Sequence, residues 1–233
     1  MAADSSEARQ NVSFPSNGGQ AHGYLATPPT GSGAPVVVIQ EWWGLTSHIA
    51  AVADRLAAEG FVALAPDLYG GSTTHNADEA GEMMQKLPPD RAARDLAGAV
   101  DFLLARDDVT GDKVGVVGFC MGGAFALTLG VQQGARVGAV VAFYPVGQLP
   151  TDYAGLSAGV LLQLAEQDAF HPIDEAEKIA ESIASTSDVS PRVEKYPGGH
   201  AFHNDDNLIG TYDADLARRS WSTAVEFLKE HLS

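Results

Sequence analysis

The 233-residue chain has one cysteine, Cys120, so no intramolecular disulfide can staple it. That usage suits a reducing compartment. Basic side chains are scarce too: 14 Lys and Arg stand against 30 Asp and Glu, a formal net charge of −16. The clustered Lys and Arg that nucleic acids or anionic membranes require are missing, so neither is an expected partner. No run reaches the ~18 apolar residues of a membrane-spanning helix. The small, polar stretch Met1 to Asn11 lacks the apolar core of a signal peptide, and a cytoplasmic protein is expected. Repeats, linkers and low-complexity segments are also absent. What is present is apolar content, 45% of residues, enough for a substantial core and too much for a disordered chain. Residues 1–10 read as a disordered tail and 11–233 as one α/β domain.

Strand and helix patterns alternate. Val12 to Pro15 and Ala21 to Ala26 read as short strands around the turn-rich Ser16-Asn17-Gly18-Gly19. Pro35 to Gln40, Phe61 to Ala65, Lys113 to Phe119, Val137 to Tyr144 and Val160 to Ala165 are apolar without alternation, the pattern of strands buried on both faces. Arg192 to Tyr196 is a last strand. Helices are expected from Thr46 or Ser47 to Ala58, around Asn76 to Leu87, after a cap at Asp90, from Ala124 to Val131, from Asp174 to Ala184, and from Asp213 to His231. Such alternation predicts a mostly parallel sheet with helices on both faces. In such sheets, chemistry gathers at the carboxyl ends of the strands.

Four candidate residues stand just after strands. Cys120 follows Val114-Gly115-Val116-Val117-Gly118-Phe119 and precedes Met121-Gly122-Gly123, the strand, sharp turn and helix of a nucleophile elbow with Cys in the serine position. A Cβ at 118 or 122 would obstruct so tight a turn. A buried structural thiol is the alternative reading. Asp168 follows the Val160 strand, His200 follows the last strand within Gly198-Gly199-His200, and Glu41 follows Gln40. Cys120, Asp168 and His200 fall in the order nucleophile, acid, histidine. In such a triad the sulfur attacks, the imidazole moves the proton, and the carboxylate fixes the imidazole's tautomer. Taken singly, Asp168 could be a helix cap, and His171 or His203 could stand in for His200. Glu41 could be a solvent-facing loop residue beside Trp42 and Trp43, or a carboxylate controlling the thiol.

These segments resemble the dienelactone hydrolase family of α/β-hydrolases. The carriers are Gln40-Glu41-Trp42-Trp43-Gly44-Leu45, Ala65-Pro66-Asp67-Leu68-Tyr69, Gly118-Phe119-Cys120-Met121-Gly122-Gly123, Gln167-Asp168 and Gly199-His200-Ala201-Phe202. The resemblance implies an α/β-hydrolase fold and a Cys120–His200–Asp168 triad. It also implies an oxyanion hole from the backbone amides of Met121 and Trp42, and a Glu41 that contacts the resting thiol. No cofactor or metal is implied.

Members of that family hold a substrate carboxylate with two arginines. Four positions after His200 this chain has Asn204, followed by Asp205 and Asp206, and between Ser72 and Asp90 it offers Lys86 and no arginine. His75 and His203 are the polar substitutes, while Trp42, Trp43, Tyr144 and Phe170 imply a more apolar pocket. The expected function is cysteine-dependent hydrolysis of small esters or lactones through a Cys120 thioester, by a monomer or small homo-oligomer. The alternatives are a general carboxylesterase or thioesterase with a neutral substrate, and a binding or thiol-sensing protein. A nucleotide-binding reading fails because Gly-Phe-Cys-Met-Gly-Gly lacks the G-x-G-x-x-G spacing.

Overall fold

The computed structural model of the protein describes residues 9–16 and 18–232. Most of the expected amino-terminal tail, residues 1–8, lies outside them. Arg9 and Gln10 do not behave as tail: the Arg9 amide donates to Leu45 O at 3.2 Å, and Gln10 Nε2 donates to Asp67 Oδ2 at 2.5 Å. Among the described residues, no helix is long and apolar enough to cross a membrane. The chain divides into two compact units, residues 1–114 and 115–233.

In the first unit the strands run in the order β1-β2-β4-β3. β1 (Val12–Ser16) and β2 (Gly19–Ala26) form an antiparallel hairpin with Val12 opposite Gly23. β2 lies antiparallel to β4 (Val62–Pro66), and β4 parallel to β3 (Pro35–Ile39). Every residue of β3 and β4 is buried, as their unbroken apolar runs require. α1 (Ser47–Ala58) starts after Thr46, whose side chain makes no capping bond. It ends where Gly60 turns to φ 101° and the amides of Gly60 and Phe61 close on Ala57 O and Leu56 O. α2 (Ala77–Lys86) is capped by Asn76, whose side chain accepts from the amides of Asp78 and Glu79.

α3 (Pro89–Leu104) departs from the expected start. Pro88 is the cap residue, Pro89 opens the helix, and Asp90 lies within the first turn. Proline suits that opening because it lacks only an N–H that would be unbonded there anyway, and the Asp90 charge complements the amino-terminal dipole. α3 packs closely on the hairpin at Gly98, where a Cβ would come within 2.5 Å of Pro15 O.

The second unit carries all but the first residue of β5 (Val114–Phe119), then α4 (Met121–Gln133), β6 (Val137–Phe143), β7 (Gly159–Ala165), α5 (Ile173–Thr186), β8 (Arg192–Tyr196) and α6 (Ala214–Leu232). Strand order is β5-β6-β7-β8. β6, β7 and β8 are parallel, with Phe143 opposite Gln163 and Ala165 opposite Tyr196, so their carboxyl ends share one edge. α6 packs on β6 and β7, burying Leu216, Val225, Phe227 and Leu228. α4 begins at Met121, three residues before the expected Ala124. Met-Gly-Gly is weak helix-forming sequence, but the turn at Cys120 leaves the following chain already in helical register. A short 3₁₀ turn at residues 134–136, which no sequence pattern marks, links α4 to β6.

Candidate active site

Cys120 sits between β5 and α4 at φ 56° and ψ −121°, a conformation side-chain-bearing residues rarely adopt. It is held there by its own backbone. Its amide donates to Phe143 O at 3.0 Å, and its carbonyl accepts from Gly123 N at 2.9 Å and Val146 N at 3.2 Å. The expected glycine requirement appears at Gly118, where an added Cβ would overlap the carbonyl of Gly122. A second crowding appears at Gly123, where a Cβ would meet Pro145 at 3.0 Å. Backbone held in so sparse a region marks a site where position matters more than local stability. Cys120 is 7% exposed and is the residue before the first turn of α4, where the helix terminus favours negative charge.

Asp168 and His200 extend from the ends of β7 and β8. His200 Nδ1 donates to Asp168 Oδ2 at 2.7 Å, with the two side chains 5% and 3% exposed. The direction of the bond follows from chemistry, since an ionised carboxylate can only accept. Asp168 Oδ1 meanwhile accepts from the amides of Phe170 at 2.8 Å and His171 at 3.0 Å. Burial works against the Asp168 charge. The hydrogen bond and charge of His200, with the two amides, outweigh it and hold the carboxyl below its ordinary value. The other ring nitrogen of His200, Nε2, is buried with no hydrogen-bond partner among the described residues. An imidazole fixed on one side and unbonded on the other is prepared to exchange a proton. The His200 loop is itself braced, by Thr211 Oγ1 donating to the His200 carbonyl and by the positive φ of Ala201, 59°.

Tyr144 joins these parts. It follows Phe143, whose carbonyl holds the Cys120 amide, and its ring centroid lies 5.0 Å from that of His200 in an edge-on arrangement. Its φ is 36°, a third strained residue in this region, and its amide is held by Gln163 O at 2.8 Å. Phe170, 49% exposed, lies 4.8 Å from the His200 ring on another side. The strain at Tyr144 and Ala201 and the Thr211 brace carry no sequence signal, because each depends on contacts between distant loops.

The other candidate residues fall in different settings. His171 is turned to Pro145 O through Nδ1 at 2.7 Å, and His203 is buried among Phe119, Phe143 and Trp221 with Nδ1 3.3 Å from Ser220 Oγ. Neither imidazole is the partner of Asp168, although the His171 amide donates to its other oxygen. Asn204 is buried, and its side-chain oxygen accepts from Asp206 N at 2.9 Å, closing the local turn. In the first unit Glu41 is 1% exposed, so the solvent-facing reading of this carboxylate does not hold. Trp43 is buried and meets Trp42 edge-on at 4.9 Å. His75 is exposed, and Lys86 is a surface residue paired with Glu82 at 2.8 Å. No group of three or more His, Cys, Asp or Glu side chains among the described residues is arranged to hold a metal ion.

Comparison with known proteins agrees with this geometry. The model of the dienelactone hydrolase family matches residues 21–232. "Protein usf" of Aquifex pyrophilus is 38% identical over 96% of this chain and 99% of its own length. The "Putative carboxymethylenebutenolidase" of Aquifex aeolicus (strain VF5) is 36% identical, over 96% of this chain and 99% of that relative. The crystal structure of the "Putative Dienelactone Hydrolase" from Klebsiella pneumoniae subsp. pneumoniae MGH 78578 superposes with a TM-score of 0.84 at 27% identity, covering 95% of this chain and 98% of that one. A braced Cys120 turn, an Asp168–His200 pair at the ends of parallel strands, and a match along nearly the whole sequence converge on one assignment: the chain belongs to the dienelactone hydrolase family and has its α/β-hydrolase fold.

Proposed function

We propose that this protein hydrolyses small esters or lactones, with Cys120 as nucleophile, His200 as proton carrier and Asp168 as the group that orients His200. The observation that carries the reading is the buried 2.7 Å Asp168–His200 bond with His200 Nε2 left unbonded, beside a Tyr144 that abuts the strand end holding Cys120. His200 takes the thiol proton and Sγ attacks the substrate carbonyl carbon. The C–O bond breaks, the leaving oxygen receives the proton from His200, and the acyl group remains on sulfur as a thioester. Water then loses a proton to His200 and adds to the thioester carbon. The C–S bond breaks, releasing the acid and restoring the thiol. Thiolate is itself a good leaving group, so substrates with stabilised leaving groups, such as activated esters and enol lactones, partition forward best. The name carboxymethylenebutenolidase borne by a relative agrees with that class.

Further roles rest on the family resemblance. The backbone amides of Met121 and Trp42 are proposed to hold the oxyanion, each worth ~3 kcal/mol in the transition state. Glu41 is proposed to govern ionisation of the thiol. A cytoplasmic location is proposed from the cysteine usage and composition.

A neutral, apolar substrate is favoured over an anionic one by Asn204, which is buried and engaged in its own turn, and by the exposed Phe170 ring next to His200. Neither supplies the bidentate cation that a carboxylate prefers. The test is hydrolysis of a neutral aryl ester and an anionic dienelactone by the wild type and by Cys120→Ala. The variant should lose both activities, and wild type should form a trappable acyl adduct on Cys120. Retention of ester hydrolysis by Cys120→Ala would sink the mechanism; strong preference for the anionic substrate would sink the substrate assignment alone.

A further inference from the structure

The first unit holds a concavity that shares no residue with the proposed chemistry. Its volume is about 330 Å³, at the lower end of small-molecule sites, and its walls come from the β1–β2 hairpin, the turn after β4 and the first half of α3. The polar side chains lining it are Ser16, Gln20, His22, Asp67, Arg91, Arg94 and Asp95.

The two carboxylates are already supplied with donors. Asp67 Oδ2 accepts from Gln10 Nε2 at 2.5 Å and Gly71 N at 2.6 Å, and its Oδ1 accepts from Tyr69 N at 2.9 Å. Asp95 Oδ1 accepts from Ser16 Oγ at 2.5 Å. The arginines are under-used by comparison. Arg91 donates through one terminal nitrogen to Leu68 O at 2.5 Å, while its Nε is buried without a partner, the nearest carboxylate oxygen of Asp95 being 4.0 Å away. Arg94 lies one turn along the same helix face and is exposed, and no hydrogen bond or ion pair among the described residues engages it. In a chain of net charge −16 an anion is repelled at long range, so it can bind only where local cationic donors are free to meet it.

We propose that this pocket binds a small molecule through one carboxylate or phosphate group, with Arg94 as the principal, bidentate contact and Arg91 fixed beside it by Leu68 O. Arg91 is held in place before any ligand arrives, so little ordering cost remains on that side. Arg94 supplies the planar pair of N–H groups that matches such an oxyanion.

Calorimetric titration of the full chain in zwitterionic buffer tests this, with inorganic phosphate and succinate as probes and sodium chloride at matched ionic strength as reference. At least one probe should bind saturably, with Kd ~1 mM or tighter, and Arg94→Ala should weaken it ~10-fold or more. Arg94→Lys should fall between them, and the ester hydrolysis rate should be unchanged in Arg94→Ala. Because Arg94 is exposed and makes no internal bond, its replacement leaves the fold intact, which a thermal melt verifies. Phosphate binding without succinate binding, or the reverse, assigns the group. Binding of neither probe by the wild type, equal binding by Arg94→Ala, or heats reproduced by sodium chloride would overturn the proposal.

Discussion

Replacing Asp168 by Asn separates the two tasks of that carboxylate. Its Oδ1 accepts from the amides of Phe170 and His171, and an Asn oxygen can keep both bonds, so the loop holds its shape. At the Oδ2 position, 2.7 Å from His200 Nδ1, the variant presents an NH₂ group. That donor forces Nδ1 to accept, which moves the ring proton to Nε2, the nitrogen proposed to take the thiol proton. The imidazole then sits in place in the wrong tautomer. Loss of an orienting aspartate in this way lowers the rate by ~10³–10⁴, or ~4–5.5 kcal/mol at 1.36 kcal/mol per decade. The assay is kcat/KM for a neutral aryl ester, together with the rate of Cys120 alkylation by iodoacetamide, which should also slow. Activity within ~10-fold of wild type, with the fold intact, would refute the assigned role of Asp168. The pH dependence of stability gives an independent reading. The Asp168 carboxyl is held below its ordinary value, so its charge contributes stability above the unfolded value of ~3.9, and that contribution is lost as pH falls through the folded value. The stability difference between wild type and Asp168→Asn, from urea unfolding, should therefore be full near pH 7 and close on acidification below about pH 4.

Gly118→Ala places a methyl group against the Gly122 carbonyl in the turn that presents Cys120, and should cost ~1–3 kcal/mol, lowering the melting temperature by several degrees; an unchanged melt would remove the steric argument for that glycine. Phe170→Ala truncates a ring that is 49% exposed, so stability should move by no more than ~0.5 kcal/mol, while KM for aryl esters rises and KM for a small alkyl ester stays level. Equal effects on both esters would mean the ring does not contact substrate.

Much of the strand framework could be read along the chain, because β3, β4, β5, β6 and β7 are apolar runs whose only comfortable place is a sheet covered on both faces. The candidate residues proposed for chemistry could be named for the same reason: a polar residue shortly after such a run falls at the sheet's carboxyl edge. Local competition blurred the helix starts. Asp90 and Pro89 both carry helix-opening signals, and the proline prevails because its ring already holds a helical φ. For Asp168 the turn bonds and a bond to histidine were rival expectations in sequence, but the fold has both, since one oxygen serves the turn amides and the other serves His200.

The amino-acid sequence by itself determined that a cysteine, an aspartate and a histidine, in that order, follow three of the strands. Only the tertiary structure decided that His200, and not His171 or His203, meets Asp168, since three imidazoles of equal chemistry differ only in where long-range packing sends them. It alone buried Glu41 and bent Cys120, Tyr144 and Ala201 into strained backbone. The arginine pocket was illegible for a stronger version of that reason. Its walls come from Ser16, residues 18–22, Asp67, Gly70, Arg91, Arg94 and Asp95, which no periodicity connects and which the β1–β2 hairpin and α3 bring together only once folded.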